Sequence, residues 1–366
     1  MITMNGFPRE QDDIKQAMVA ACARVIDSNY FVLGSEVKDF EDKWASICGT
    51  QHAIGMGNGL DALEIALRAA GVGPGDEVIT TPMTAFATFL GIIRAGASPV
   101  LADIDPLTAL LSLESVTRQV TPRTKAVLLV HLYGQVRDME EWVKFCEANN
   151  LLLFEDCAQA HLAGSDGKVA GSFGVAGAYS FYPTKNLGAI GDAGALVTSD
   201  PEIALRAMRL RNYGQSNRYE HVDLGMNSRL DEMQAALLNV RLEWLDEFTA
   251  RRRKIAQSYF EGISNPFVRL LSEPEDPRSH SYHLFVVNCD EREKLSSFLS
   301  DRGIETLIHY PIPVHRQPAV SSFGLVIEHL VNSDIHASTC LSIPCHPGMT
   351  DLEVETVISA MNEFVL

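Results

Sequence analysis

The sequence lacks any long apolar run. None of its hydrophobic segments approaches the roughly 18 consecutive apolar residues that a membrane-spanning helix needs. Its first residues, MITMNGFPREQDD, also lack the basic and apolar regions of a secretory signal. From these absences we expect a cytoplasmic protein that has no membrane partner.

Positive charge is also scarce. Lysine and arginine together number 30 against 47 aspartates and glutamates, which gives a net charge of −17 at pH 7. Because nucleic-acid binding needs a basic surface, this balance argues against nucleic acid as the main partner. An anionic ligand would have to be bound locally, by loops and helix ends.

The seven cysteines are few, odd in number and without any CxxC spacing, and most of them lie within apolar runs. This pattern favours buried, reduced thiols over disulfides or a structural metal site. We therefore expect no metal. The chain also lacks internal repeats and low-complexity segments.

What the chain does contain is a regular alternation of strand and helix patterns. Its length of 366 residues predicts about two domains. Short apolar runs predict strands at 77–80, 98–104, 125–133, 151–156, 177–181 and 194–199, with helices near 60–70, 84–95, 112–120 and 138–149. Repeated strand–helix alternation predicts a doubly wound α/β domain with a mainly parallel sheet.

The N-terminal and C-terminal parts of the chain do not follow this strand–helix alternation. Residues 12–28 place an apolar stripe on one face and predict a helix. A long helical stretch begins near residue 228 and leads towards a predicted strand at 283–289 and a last helix at 351–364. We therefore divide the chain into a large α/β domain, 1–245, and a small α+β domain, 246–366.

Ligands collect at the carboxyl ends of parallel strands, and GNGLDAL (57–63) lies where such a strand meets a helix. Gly59 permits close backbone approach, and the amides of Leu60 and Asp61 would be free at the helix N-terminus, which suits a phosphate. A plain turn capped by Asn58 or Asp61 is the alternative. The segment is not GxGxxG, so a dinucleotide-binding interpretation has no glycine motif to support it.

A second polar cluster, in LLLFEDCAQAH (151–161), places Glu155, Asp156, Gln159 and His161 at the end of a hydrophobic strand. A carboxylate there is costly unless a cation or hydrogen-bond donor meets it. A metal, a protonated ring nitrogen and a helix N-terminus are the three options. For His161, a ligand role and a surface or core-edge imidazole are the alternatives.

Lys185 stands between two predicted strands, flanked by Pro183 and Gly188, where a surface salt bridge is unfavourable. Near a desolvated site its pKa would fall and make it a competent amine nucleophile. A lysine that forms a Schiff base, a carboxylate for a pyridinium nitrogen and a phosphate cradle are the three parts that a pyridoxal phosphate enzyme needs. From the residues alone, an ordinary structural lysine remains the alternative.

Several blocks from 57 to 315 resemble one family and follow its order. They are GNGLDAL, GDEVITTPMTAFAT, VHLYGQ, EDCAQAH, YSFYPTKNLGAIGDAGA, RNYG, NSRLDEMQAA and HYPIPVH. On these motifs the chain is similar to the DegT/StrS-type sugar aminotransferases, fold-type I pyridoxal phosphate enzymes of the aspartate aminotransferase superfamily. GNGLDAL, HLYGQ and IETLIHYPIPVH point to the group that aminates C3 of nucleotide-linked 3-keto-6-deoxyhexoses, dTDP sugars among them.

The resemblance implies a role for each matching residue. Lys185 resembles the lysine that binds the cofactor and moves the proton, and Asp156 resembles the partner of the pyridine nitrogen. Gln159, Ser180 and the amides of Gly59 and Leu60 match residues that contact the cofactor. Asn227 matches a residue that contacts the phosphate from the other subunit. The residues that match substrate contacts are Tyr182, His309, Tyr310 and His315. The resemblance also implies L-glutamate as the amino donor and a homodimer with shared active sites.

Two positions bear on how far the resemblance holds. Family members usually place an aromatic residue over the cofactor ring, and here Ala85 occupies that position, with Phe86 one step later. Phe86 is therefore the candidate for stacking on the ring, with a core phenylalanine as the alternative. Some relatives replace the lysine by histidine and become dehydratases, but Lys185 is present, which favours a transaminase.

Three other functions compete with this interpretation. One is amination at C4 of the sugar by the same kind of enzyme. Another is a non-catalytic regulatory protein on the same fold, which Lys185, Asp156 and Ser180 speak against. A nicotinamide dehydrogenase explains neither Lys185 nor Asp156.

Overall fold

The structure is a computed structural model that describes residues 1–323 and 330–366. Its α-helices are α1 Asp12–Ser28, α2 Ser35–Cys48, α3 Gly59–Ala69, α4 Phe86–Arg94, α5 Leu113–Gln119, α6 Met139–Ala148, α7 Pro201–Leu210, α8 Glu232–Leu242, α9 Leu245–Gly262, α10 Arg292–Ser300, α11 Val331–Thr339 and α12 Asp351–Glu363. Its strands are β1 His52–Met56, β2 Glu77–Thr80, β3 Ser98–Leu101, β4 Thr124–Val130, β5 Leu152–Asp156, β6 Gly164–Ser165, β7 Lys168–Val169, β8 Ala176–Ser180, β9 Gly194–Thr198, β10 Gln215–Asn217, β11 Glu220–His221, β12 Arg269–Leu270, β13 Phe285–Asn288 and β14 Cys340–Ile343.

A seven-stranded sheet in the order β1-β9-β8-β5-β4-β2-β3 forms the centre of the fold. The pairs from β8 through β5, β4 and β2 to β3 are parallel, whereas β9 runs antiparallel to both β1 and β8. Six strands therefore share one direction and end at the same edge. The expected α/β fold with a mainly parallel sheet is confirmed.

Helices cover both faces of this sheet. Along β4, Val127 and Leu129 belong to a core that α2, α6 and α8 close, while Ala126 and Leu128 belong to a second core beneath α3 and α7. Side chains of a strand alternate between the two faces, so a strand buried on both sides must be apolar throughout. This explains the continuous apolar run at 126–130.

Most predicted elements agree with the structure. The helix at 12–28 has the predicted bounds, and it buries Ile14, Met18, Ala21 and Val25. The predicted strands at 98–104 and 125–133 end earlier, at Leu101 and Val130. The long helical stretch after residue 228 is two helices, since α8 ends at Leu242 and α9 begins at Leu245.

A three-stranded antiparallel sheet of β12, β13 and β14 organises the C-terminal part of the chain. Its core joins α9, α10 and α12, and Ile2 from the N-terminus packs into the same core. A separate core around this sheet agrees with a small C-terminal domain, and the boundary at 245/246 stays a prediction.

The cysteines are free, and six of the seven are buried, with Cys22 partly buried. Across residues 1–323 and 330–366, none of the helices combines the length and the apolar character needed to cross a bilayer.

Candidate active site

The carboxyl ends of β1, β5 and β8 bring the predicted site residues to one edge of the sheet. β5 ends at Asp156 and β8 ends at Ser180. Gly194 is the register partner of both Met56 and Ser180, so the segment after β1 lies close to the end of β8. Residues far apart in sequence therefore meet at this edge because these strands run parallel within one sheet, with only β9 between β1 and β8.

The start of α3 forms the predicted cradle for an anion. Asn58 caps the helix, and its side chain accepts a hydrogen bond of 2.8 Å from the Asp61 amide. The amides of Gly59 and Leu60, at the first two helical positions, have no acceptor within the helix. A Cβ on Gly59 would lie 2.8 Å from the Cβ of Ser180, so only glycine lets the helix end approach that serine. The arrangement fits a phosphate.

Asp156 is buried beside the cradle. Its carboxylate accepts hydrogen bonds from the Thr88 hydroxyl at 2.8 Å and from the Ala158 amide at 3.1 Å. The Thr88 hydroxyl also lies 2.6 Å from that of Thr84. Burial raises the pKa of Asp156, although both hydrogen bonds and the Lys185 ammonium act in the opposite direction. A buried carboxylate in this state favours a cationic partner such as a protonated ring nitrogen.

Thr88 was missed by the sequence reasoning. Thr88 lies on α4, within the helix predicted at 84–95, whereas Thr84 precedes the start of that helix at Phe86. The helical pattern was detectable, but nothing in the sequence says which of its side chains meets the end of β5.

Glu155, the residue before Asp156, points to the opposite face of the sheet. Its carboxylate accepts hydrogen bonds from three backbone amides of 171–174, at 2.7 to 2.9 Å, and lies 2.9 Å from Nε2 of His131. His131, Glu155 and Cys157 also form a buried group whose possible ligand atoms lie within 4.8 Å of one another. Because the Glu155 oxygens are already occupied by amides, we interpret this group as an internal anchor for the 171–174 turn. The absence of a metal stays a prediction.

Lys185 lies in the turn after β8, where its amide donates to the carbonyl of Tyr182 at 2.8 Å. Burial lowers the pKa of its amine to about 8, and attraction to Asp156 partly offsets this effect. The next residue, Asn186, anchors the turn by donating to the Ser281 carbonyl at 3.0 Å. The structure thus brings Lys185 and Asp156 into one site, with an amine that can lose its proton near neutral pH.

Replacing Lys185 with methionine should stabilise the cofactor-free protein at neutral pH. The folded amine has a pKa of about 8 against 10.5 ordinarily, so below pH 8 the chain carries the full cost of a buried ammonium, about 3 kcal/mol. The cost is lost as pH rises from about 8 to 10.5. Denaturant unfolding of both proteins across this range measures it. A stability difference that does not shrink with rising pH would contradict the assignment.

Gln159, His309 and Tyr310 belong to one hydrogen-bond network. The Gln159 amide oxygen accepts from the Tyr133 amide at 2.6 Å, and its nitrogen donates to the Tyr310 hydroxyl at 3.2 Å. The Tyr133 hydroxyl donates to the His309 carbonyl at 2.5 Å, and the His309 ring lies 2.8 Å from the Ser342 hydroxyl. Burial and Lys185 lower the pKa of His309 to about 4, so its ring is neutral at pH 7.

Phe86 lies at the first position of α4, and its ring stacks on Phe89 with centroids 5.4 Å apart. Thr88, which reaches Asp156, is two residues further along and points to the other side of the helix. Phe86 lies within the helix predicted at 84–95, which in the structure starts at Phe86, so the helical period decides where its ring points. Its stacking on the cofactor stays a prediction.

The remaining predicted residues share no hydrogen bond with this network among the described residues. His315 is buried, and its Nε2 lies 2.9 Å from a carboxylate oxygen of Asp334 on α11. Burial lowers its pKa. Tyr182 is half exposed and Asn227 is exposed. Their substrate and cofactor roles stay predictions.

His161 proves to be a core imidazole rather than a residue at the core edge. Its ring is fully buried among Trp44, Tyr179 and Phe181. Burial lowers its pKa to about 3, and neither ring nitrogen has a hydrogen-bond partner among the described residues. The ring is therefore neutral and serves packing.

Comparisons with known proteins agree with this site. Residues 12–362 match the DegT/DnrJ/EryC1/StrS aminotransferase family. The chain is 47% identical to the dTDP-3-amino-3,6-dideoxy-alpha-D-galactopyranose transaminase of Aneurinibacillus thermoaerophilus, over 97% of this chain and 96% of that protein. It is 41% identical to a pleiotropic regulatory protein of Geobacillus stearothermophilus, over 99% of this chain and 98% of that protein.

The fold has matching crystal structures. DesV of Streptomyces venezuelae, solved in complex with a ketimine intermediate, superposes with a TM-score of 0.94 at 41% identity, covering 99% of this chain and 98% of that one. Family, relatives and fold therefore agree with the chemistry that the site residues indicate. The chain belongs to the DegT/DnrJ/EryC1/StrS aminotransferase family and is a pyridoxal phosphate-dependent transaminase of fold type I.

Proposed function

We propose that the chain transfers an amino group from L-glutamate to C3 of a dTDP-linked 3-keto-6-deoxyhexose. The observation that carries the chemistry is the meeting of Lys185, with its lowered pKa, and the buried Asp156 beside a backbone-amide cradle. The choice of sugar is supported by the relative named as a dTDP-3-amino-sugar transaminase, at 47% identity across nearly the whole chain.

The cofactor contacts follow from the same geometry. The amides of Gly59 and Leu60 and the Ser180 hydroxyl would hold the phosphate, and Asp156 would meet the ring nitrogen. Gln159 would lie beside the ring hydroxyl. When bound, pyridoxal phosphate supplies an aldehyde that captures the donor's amine and a ring that acts as an electron sink.

The side chains of this protein would transfer the protons and orient the substrates. With a pKa of about 8, the Lys185 amine could accept a proton from the donor Cα and deliver it to the aldehyde carbon of the cofactor, a transfer that general base catalysis favours near working pH. Asp156 would keep the ring nitrogen protonated by its charge. The neutral His309 ring and the Tyr310 hydroxyl, whose pKa burial raises to about 12, would orient the sugar as uncharged hydrogen-bonding groups.

A homodimer would complete the site. The segment around β10 and β11 exposes large apolar side chains, with Tyr219 81% exposed and Leu224 90% exposed. Clustered apolar exposure of this kind is typical of protein interfaces. Asn227 follows the same segment and is exposed, so it is available to the phosphate of a partner subunit.

A mixed dimer of Lys185→Ala and Asn227→Asp subunits should regain activity that neither variant has alone. If Asn227 acts across the interface, one of the two sites in the mixed dimer contains both native residues. In the other site of the mixed dimer, the carboxylate introduced at residue 227 repels the phosphate of the cofactor. Co-expression with two affinity tags isolates the mixed dimer for assay. Activity no higher than that of the Asn227→Asp homodimer would place Asn227 in its own subunit's site.

The product of turnover tests the sugar assignment. Purified enzyme with glutamate and a panel of dTDP-keto-sugars should yield a dTDP-3-amino-3,6-dideoxyhexose, identified by mass spectrometry and NMR. An amine at C4 would replace this proposal with the alternative C4 aminotransferase.

A regulatory role is the second candidate, because one relative is named as a pleiotropic regulatory protein at 41% identity. The two functions differ in one inexpensive measurement. An enzyme binds the cofactor through Lys185 and shows an absorbance band that glutamate bleaches. A protein that binds the cofactor but keeps the band in glutamate would favour regulation.

A further inference from the structure

Tyr133 joins the cofactor side of the site to the sugar side, and it was not among the residues predicted from the sequence. It is 1% exposed and lies in the turn 132–134 that follows β4. Its φ angle is 62°, in the left-handed region that a residue with a bulky side chain rarely adopts. Residues held in this way cluster at functional sites, because the surrounding contacts must offset the strain.

The backbone of Tyr133 fixes the orientation of the Gln159 side chain. The Tyr133 amide donates to Oε1 of Gln159 at 2.6 Å, and a backbone N–H can only donate. The other end of the carboxamide is therefore Nε2, which donates to the Tyr310 hydroxyl at 3.2 Å. Gly134 permits this close approach, since a Cβ there would lie 2.8 Å from the Gln159 carbonyl oxygen.

The hydroxyl of Tyr133 fixes the sugar side. It lies 2.5 Å from the His309 carbonyl oxygen and 2.9 Å from Nε2 of His336 on α11. A carbonyl can only accept, so the single hydroxyl proton goes to His309 and the His336 ring donates its Nε2–H. Burial lowers the pKa of His336 to about 4, so the ring is neutral at pH 7 and has one N–H to donate. A directed chain of hydrogen bonds thus runs from α11 through Tyr133 to the backbone beside Tyr310.

These contacts close into a ring of three hydrogen bonds. Tyr133 binds Gln159 through its amide and His309 through its hydroxyl, and Tyr310, the next residue, returns to Gln159. The members come from distant parts of the chain, since Gln159 follows β5 and the His309 ring lies 2.8 Å from the Ser342 hydroxyl on β14. The ring therefore sets the distance between these parts.

We propose that Tyr133 is a positioning residue that holds His309 and Tyr310 at a fixed place relative to Gln159, and so presents the keto-sugar to the cofactor. The inference rests on the proposed function, in which His309 and Tyr310 orient the sugar and Gln159 lies beside the cofactor ring. Tyr133 acts through these residues, because it is buried and both its amide and its hydroxyl are bound within the protein.

Tyr133→Phe tests the proposal, because it removes the hydroxyl and keeps the ring and the amide that holds Gln159. The KM for the keto-sugar is expected to rise about tenfold, while the KM for glutamate changes by less than about twofold. The pH at which the absorbance band of the bound cofactor titrates should stay within about 0.3 pH units, since Gln159 keeps its orientation. A general loosening of the site would alter all three measurements.

Tyr259→Phe is the matched control. The Tyr259 hydroxyl is also buried and donates to the Pro344 carbonyl at 2.6 Å, but it lies in the core of the C-terminal part of the chain. This variant should lower the melting temperature about as much as Tyr133→Phe and leave both KM values unchanged. An unchanged KM for the keto-sugar in Tyr133→Phe, or equal rises in both KM values, would overturn the positioning role.

Binding of dTDP-6-deoxyglucose, which has no ketone and cannot be aminated, separates this inference from the proposed function. Its dissociation constant for the holoenzyme, measured by calorimetry, should rise about tenfold in Tyr133→Phe. The same change should have less than about a twofold effect when His309→Ala and Tyr310→Phe are already present, because Tyr133 acts through these residues. If amination proceeds and the dissociation constant does not change, the positioning role fails and the proposed function stands. If no dTDP-keto-sugar is aminated and the constant still rises, the proposed function fails and the positioning role stands.

A crystal of wild-type holoenzyme with dTDP-6-deoxyglucose gives a result that does not depend on any variant folding. The sugar should contact His309 or Tyr310, with the Tyr133 hydroxyl within about 3.2 Å of the His309 carbonyl oxygen. A sugar that contacts neither residue, or a holoenzyme that binds no dTDP sugar, would contradict the inference.

Discussion

Lys185→Ala is expected to lower turnover by roughly 10⁴-fold or more, because in the proposed mechanism one amine both binds the cofactor and moves the proton. The structure supports this double use. The amine lies in a turn held between β8 and the anchored Asn186, and its pKa of about 8 makes it a base at neutral pH. Steady-state assays with glutamate and the keto-sugar measure the loss.

Three controls separate this role from a loss of charge or of folding. Lys185→Arg keeps a cation that cannot deprotonate, so it should be as inactive as the alanine variant. Lys125→Ala removes an exposed lysine from the start of β4 and should retain full activity. A small primary amine such as methylamine should restore part of the activity of Lys185→Ala. Full turnover by Lys185→Ala without added amine would refute the assignment.

Asp156→Asn is expected to lower activity by roughly 10²- to 10³-fold while leaving the protein folded. Asparagine can still accept the hydrogen bond from Thr88, but it lacks the charge that would keep a ring nitrogen protonated. With its ring nitrogen unprotonated, the cofactor would be a weaker electron sink, so each proton transfer would be slower. Single-turnover rates of both half-reactions measure the effect, and both should slow.

The stability of the same variant distinguishes a functional charge from a structural one. Because burial raises the pKa of Asp156, its ionised form costs stability at pH 7, and the cost disappears as pH falls through the carboxyl's pKa. Cofactor-free Asp156→Asn should therefore be at least as stable as wild type at pH 7. Thr88→Val, which removes one donor and keeps the charge, should reduce activity much less. A large loss of stability in Asp156→Asn would indicate a structural carboxylate instead.

Local patterns made much of the fold predictable. The helix at 12–28 and the strand at 77–80 have the predicted bounds, because apolar periodicity and burial act within a few turns or residues. The break between α8 and α9 was not predicted, since the helical pattern continues across residues 243–244. Phe86 shows a similar limit, because the direction of its ring depends on where the helix starts, and the helix starts at Phe86 rather than at residue 84.

The sequence by itself determined the kinds of groups in the site, since a lone lysine, a carboxylate ending an apolar strand and a glycine at a helix start each carry their chemistry locally. Tertiary structure alone decided how these groups are used. It placed Thr88 on Asp156, paired His315 with Asp334 and buried His161 among aromatic rings. The physical reason is that burial, pKa and hydrogen-bond pairing depend on neighbours that only the strand order and helix packing bring together.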